Sequence, residues 1–255
     1  MRLMRRQTRR WSIVWLVGLL AVIACGESGD STENELLVSA AASLTDAFGE
    51  IEAAFEDVNP NVDVVLNFGP SSGLREQILE GAPADVFASA NTSNMDQIVA
   101  AGEADDPQIF VQNLLMIAVP LGNPGRVSGL DDFGREELLI GLCAEDAPCG
   151  DFAREALSNA GVKPAIDTNE PDVRALLTKI EVGELDAGIT YVTDIVSAGD
   201  GVEGIDIPQD VNQVAEYSIA VLSEAPNPEA AADFVEFVLS DEGQTILADY
   251  GFETH

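Results

Sequence analysis

Histidine is almost missing from this 255-residue chain: the only one is His255, the last residue. That argues against a Ser-His-Asp or Cys-His nucleophile site and against zinc sites of mixed His/Cys type. Cysteine is scarce as well, with Cys25, Cys143 and Cys149 and no others. Basic residues number 12 against 45 acidic ones, a formal charge of −33 at pH 7. So acidic a surface repels nucleic acid and anionic lipid headgroups, so no nucleic-acid partner is expected. Neither a G-x-x-x-x-G-K-[ST] phosphate loop nor a G-x-G-x-x-G fingerprint occurs. The one long apolar stretch, Trp11 to Ala24, has 14 residues, short of the roughly 20 that a spanning helix needs.

What is present begins with that stretch. Arg2, Arg5, Arg6, Arg9 and Arg10 precede it and Cys25 follows it, the layout of a secretory signal over residues 1–25. The alternative reading is an uncleaved membrane anchor. Val22-Ile23-Ala24-Cys25 resembles the bacterial lipobox, which implies cleavage before Cys25 and lipidation of that cysteine. Residues 26–35 then read as a flexible, solvated tether. Without residues 1–25 the chain keeps 7 basic residues against 45 acidic ones, a net of −38. The acidity reads as a solubility feature, and any anion site has to be local and strong enough to overcome it.

Strand-like runs alternate with helical patterns, which predicts a parallel α/β architecture. Strands are expected at Leu36–Ala40, Val62–Phe68, Val86–Ala90, Asn113–Val119, Leu138–Leu142, Asp186–Tyr191 and Glu216–Leu222. Helices are expected at Leu44–Phe55, Leu74–Leu79, Asn94–Ala101, Asp151–Ala160, Val173–Val182, Pro228–Leu239 and Asp241–Tyr250. No repeat of fixed period and no strong internal linker appears. Two lobes joined by crossing strands account for that continuity better than two separate beads.

Four strand-to-helix junctions are rich in small and hydroxyl residues. They are Ala40 to Asp46 with Ser43, Gly69 to Leu74 with Ser71 and Ser72, Ala147 to Asp151 with Cys149, and Glu170 to Val173. Each offers unpaired backbone N–H groups at the positive end of a helix dipole. Several converging on one point make an anion site without Lys or Arg. The bland reading is that Ser43, Ser71 and Asp172 only cap their own helices, and Ser43-x-x-Asp46 is close to a capping box. Asp46, Asp151 and Asp172 lie near the junctions, and any of them pointing inward would repel a dianion.

Taken in order, these segments resemble the molybdate-binding proteins of ABC transporters. Ala41-Ala42-Ser43-Leu44-Thr45 is similar to that family's opening motif, and Phe68-Gly69-Pro70-Ser71-Ser72-Gly73-Leu74 to its second serine motif. Gly81-Ala82-Pro83-Ala84-Asp85-Val86-Phe87 matches its G-A-P-A-D-[VL]-F segment, which reads as structural rather than ligand-binding. Pro148-Cys149-Gly150, Pro171-Asp172-Val173-Arg174, Gly188-Ile189-Thr190-Tyr191 and Tyr250-Gly251-Phe252 follow in family order, so the match runs from about Leu37 to Phe252. The resemblance implies an α/β, two-lobed type II periplasmic-binding-protein fold with the ligand cleft between the lobes. Lobe 1 would hold residues 36–112 plus 223–255, and lobe 2 residues 113–222. It further implies that molybdate is bound by Ser43, Ser71 and Tyr191 hydroxyls and by the Cys149 and Val173 main chain, with Ser72 an alternative to Ser71.

The expected function is extracytoplasmic capture of molybdate or tungstate for an ABC permease and its ATPase. The protein would be a monomer without a cofactor, lipid-anchored to the outer face of the cytoplasmic membrane. Cys143 and Cys149, the two cysteines left after Cys25, are expected to form a disulfide in an exported protein. Other readings stay open: a binder of sulfate, thiosulfate or a small carboxylate, a sensor reporting to a membrane receptor, or a secreted enzyme acting on an anionic substrate.

Overall fold

The computed structural model of the chain describes residues 35–254. The expected signal segment, Cys25 and all of the tether but Glu35 lie outside the described residues. Glu35 itself opens the first strand rather than closing a tether. Among the described residues no helix is long and apolar enough to cross a membrane.

Among the described residues nine strands form one sheet in two halves. The first half is built from β1 (Glu35–Ala41), β2 (Asp63–Gly69), β3 (Val86–Ser89) and β9 (Val214–Val221). The second holds β5 (Ile140–Cys143), β6 (Thr168–Glu170), β7 (Ala187–Tyr191) and β8 (Val202–Asp206). β4 (Gln108–Pro120) is shared: its N-terminal part pairs with β9 and its C-terminal part with β7 and β8. The path runs β2-β1-β3-β9-β4-β7-β5-β6, with β8 beside β4.

The expected parallel pairing is found within each half, and the sheet as a whole is mixed. β1 is parallel to β2 and β3, and β5 is parallel to β6 and β7. Every pairing of β4 and β9 is antiparallel: β4 carries the chain into the second half, and β9 follows its return to the first. β9 falls within the 113–222 range drawn for the second lobe, yet it hydrogen-bonds to β3 of the first half.

The helices are α1 (Thr45–Val58), α2 (Ser71–Leu79), α3 (Thr92–Ala101), α4 (Pro148–Asn159), α5 (Val173–Glu181), α6 (Val192–Ala198), α7 (Pro228–Leu239) and α8 (Asp241–Asp249). α1 buries Ala47, Phe48, Ile51 and Phe55 along one face. That face meets α7: Phe234 lies edge-on to Phe55, ring centroids 5.3 Å apart, and to Phe48 at 6.1 Å. The C-terminal helices thereby return to the first half. Phe252 then packs on Tyr217 of β9 at 5.4 Å.

The Gly81–Phe87 segment works as a tie. Asp85 is fully buried, and its carboxylate accepts the Leu37 N–H at 2.8 Å and the Asn227 N–H at 2.5 Å. It fixes the start of β1 and the entry to α7, so a charged residue is held in the core by main-chain donors.

Candidate functional site

The ends of β1, β2, β5, β6 and β7 turn into helices around one small cavity. Its wall includes Ser43, Ser71, Cys149, Val173 and Tyr191, together with Pro70, Ala90 and Asp172. Five residues drawn from four separate junctions and the end of β7 are thus brought to one place. Ser72 is buried one position along α2 and is not on that wall.

Ser43 does not cap α1. It sits in a 3-10 turn, Ala42–Leu44, that joins β1 to α1, and its Oγ lies 2.8 Å from the Tyr217 hydroxyl. The expected capping box with Asp46 is not formed. The Asp46 carboxylate instead accepts from Arg174 Nη1 at 2.7 Å, reaching across to α5. Ser71 is no cap either, since Pro70 holds that position with its φ of −63°. Ser71 is the first helical residue, and its Oγ accepts the Ala90 N–H at 3.0 Å. That leaves its own proton for the cavity.

Asp172 does cap. Its carboxylate accepts the Ala175 N–H of α5 at 2.9 Å, so it is committed to its own helix while the Val173 N–H at the first position lies outside the intrahelical ladder. Asp151, also considered as an inward charge, is exposed on the first turn of α4.

α4 begins with Pro148, and Cys149 follows on its first turn. A disulfide joins Cys149 to Cys143 at the end of β5, Cα–Cα 5.8 Å. Arg154 braces the same turn, donating to the Cys143 carbonyl at 2.8 Å and the Gly150 carbonyl at 2.9 Å. Gly150 is obligatory here: a Cβ on it would stand 1.9 Å from the Ala144 carbonyl oxygen.

Tyr191 closes the site from the end of β7. It is 1% exposed, and among the described residues its hydroxyl makes no hydrogen bond, although the Tyr217 phenol stands close enough to act on it. Burial pushes the Tyr191 and Tyr217 phenols above their ordinary range, so both keep their protons. The Tyr191 N–H donates to Asp194 Oδ2 at 2.8 Å. Asp194 is buried, its other oxygen is unpartnered, and burial pushes its carboxyl up to about 7. The wall therefore offers hydroxyl protons and helix N-termini, and no lysine or arginine.

A profile described as bacterial extracellular solute-binding protein matches residues 36–253. The chain belongs to that family. The molybdate-binding protein ModA of Mycobacterium tuberculosis (strain ATCC 25618 / H37Rv) is 35% identical over 240 residues, covering 91% of this chain and 92% of the relative. A putative ABC transporter substrate-binding lipoprotein of Bacillus subtilis (strain 168), YvgL, is 29% identical over 250 residues, covering 94% and 96%. Among solved structures, the periplasmic molybdate-binding protein of Azotobacter vinelandii superposes with a TM-score of 0.78 at 17% identity, covering 86% of this chain and 99% of that one. At that identity the likeness speaks for the fold, which is the two-lobed type II architecture of such proteins.

Asn113, Arg174, Asp194 and Tyr217 were not singled out as functional from the sequence. Arg174 stands inside the quoted Pro171–Arg174 segment, and Tyr217 inside the predicted last strand. No motif flagged either, because each acts through a partner more than a hundred residues away.

Proposed function

We propose that this member of the solute-binding family captures a fully deprotonated tetrahedral oxyanion, molybdate foremost and tungstate with it, and delivers it to an ABC permease and its ATPase. Ser43, Ser71 and Tyr191 would donate hydroxyl protons, and Cys149 and Val173 their main-chain N–H groups. The observation that carries this reading is the Tyr191 hydroxyl. It is a buried donor that makes no hydrogen bond among the described residues, on a cavity wall that also receives the N-termini of α2, α4 and α5. A buried donor costs free energy until an acceptor arrives, and a ligand with only acceptor oxygens supplies one.

A protonated oxyanion needs an acceptor in return. Asp46 is turned to Arg174, and Asp172, although on the wall, has one carboxylate oxygen committed to the Ala175 N–H of its own helix. The relatives' names supply the choice of molybdate among dianions of equal charge. In this reading the two halves of the sheet are lobes that close on the ion, with β4 and the segment before β9 as the crossings. The chain acts as a monomer, without catalysis or cofactor, held at the outer face of the cytoplasmic membrane by a lipid on Cys25.

Calorimetric titration with molybdate, tungstate, sulfate and phosphate tests the proposal. Molybdate and tungstate should bind stoichiometrically and without turnover, and phosphate poorly. Tighter binding of phosphate or sulfate than of molybdate would refute it.

A further inference from the structure

Ser43 carries one hydroxyl proton and faces two directions, towards the cavity and towards Tyr217. Which way that proton points decides whether the position serves a deprotonated anion or a protonated one. The structure contains the groups that settle the direction.

The Leu114 N–H donates to Asn113 Oδ1 at 3.0 Å. A backbone N–H can only donate, so the acceptor end of the Asn113 amide is fixed and its Nδ2 must face the other way. Nδ2 donates to Thr193 Oγ1 at 2.9 Å and to the Tyr217 Oη at 3.4 Å. Tyr217 is therefore an acceptor towards Asn113. Its phenol is fully buried, away from water, and its remaining partner is Ser43 Oγ at 2.8 Å. The Tyr191 hydroxyl stands close enough to act on the phenol but makes no hydrogen bond among the described residues, so Ser43 is the acceptor within reach of the phenolic proton, and buried donors are nearly always paired. Ser43 Oγ then accepts from Tyr217, and its own proton is left for the cavity.

We infer that Asn113 and Tyr217 are specificity-setting positioning residues: they orient the Ser43 hydroxyl as a donor to the bound anion. The inference rests on the oxyanion reading above and deepens it. Tyr217 comes from β9 and Asn113 from β4, so two strands distant in sequence dictate the donor pattern of a junction on β1. Ser71 is set in the same sense by the Ala90 N–H, which uses its acceptor. Both serines are thereby committed donors, and a ligand oxygen carrying a proton finds no acceptor at either.

The test is a double-mutant cycle between Tyr217→Phe and Ser43→Ala, read by competition between anions. Phenylalanine keeps the ring packing against Phe110 and Phe252 and removes only the hydroxyl. In Tyr217→Phe the Ser43 hydroxyl is free to turn and accept. Affinity for the fully deprotonated oxyanion should fall about tenfold, and its preference over hydrogen phosphate should shrink by at least as much. In the Ser43→Ala background the same change should alter both quantities by less than about twofold. Equal losses in both backgrounds would mean that Tyr217 only supports the fold, and unchanged discrimination would also overturn the inference. The cycle is run with molybdate, or with tungstate or sulfate should the wild-type chain prefer one of them, so failure of the molybdate assignment is seen separately in the wild type. Binding of none of the three overturns both. A measurement without variants guards against misfolding: in wild-type protein the Tyr217 hydroxyl proton should show a nuclear Overhauser contact to the Ser43 β-protons, and its absence from that position counts against the relay.

Discussion

Arg174 and Asp46, 128 residues apart in sequence, form an ion pair between α5 and α1, Nη1 to Oδ2 2.7 Å and Nη2 to Oδ1 3.3 Å. It links the two halves of the molecule beside the cavity. Each side chain is 35% exposed, so the pair is worth no more than about 1 kcal/mol. The two partners also act on the anion with opposite signs. Arg174→Gln removes the link and a favourable charge, and should weaken molybdate binding about three- to tenfold at low salt, with the loss shrinking at high salt. Asp46→Asn removes the link but also a repulsive charge, and should stay within about twofold of wild type. Calorimetry at two salt concentrations checks this. An Asp46→Asn loss as large as that of Arg174→Gln would mean that the link matters and the charge does not.

The direct contacts carry larger stakes. Tyr191→Phe takes away a charge-assisted bond worth about 1.5–3 kcal/mol, hence a loss of roughly ten- to over a hundredfold in molybdate affinity. The unliganded protein should be no less stable, since among the described residues the hydroxyl makes no hydrogen bond to lose. Ser43→Ala should cost similar affinity, and unlike Tyr191→Phe it should also lower stability, because it strips Tyr217 of its acceptor. Thermal melting beside calorimetry separates the two. Wild-type binding by either variant would remove that residue from the site.

The α4 turn offers a test of rigidity. Replacing Cys143 and Cys149 together by serine opens a small loop, for which chain entropy predicts a loss of about 2 kcal/mol in stability. Gly150→Ala should be worse, because its Cβ meets main chain, which cannot swing aside as a side chain can. Denaturant midpoints should rank wild type above the double serine variant and that above Gly150→Ala. A Gly150→Ala protein of wild-type stability would show that the turn readily opens.

Local chemistry explains what could be read from the sequence. Ser71, Cys149 and Val173 stand at junctions where a strand ends and a helix begins within a few small residues, a pattern contained in five or six letters. The Asp172 cap was legible for the same reason. Strand direction was not, because an antiparallel strand with a buried run, such as β9, reads like a buried parallel one, and only the long-range pairings of β4 and β9 make the sheet mixed. β6, with three residues, and α6, with seven, are too short to show a period. Asp46 illustrates the limit: its spacing from Ser43 suggested a capping box, and a distant arginine claimed the carboxylate instead.

Asp194 gives the site a pH dependence whose sign follows from its surroundings. Desolvation is the largest cause raising its carboxyl from 3.8 to about 7. The Tyr191 N–H and the Arg174 charge pull it down, while Asp46 and Asp172 push it up. In the unfolded chain the group titrates near its ordinary value. Between about pH 4 and 7 the folded state therefore holds a proton that the unfolded state has released. Stability from this group falls as pH rises through that interval, and levels off above it. A dianion on the neighbouring Tyr191 hydroxyl favours the neutral acid still further. Binding should then take up protons near neutral pH and weaken above it. Asp194→Asn mimics the neutral acid and leaves an oxygen to accept the Tyr191 N–H. It should flatten the stability profile between pH 4 and 7 and abolish the proton uptake, as measured by calorimetry in two buffers of different ionisation enthalpy. Because the variant binds the same ligand in the same buffers, any titration of the anion itself cancels in the comparison. Identical pH profiles for the two proteins would place the Asp194 titration outside this range and unlink it from the site.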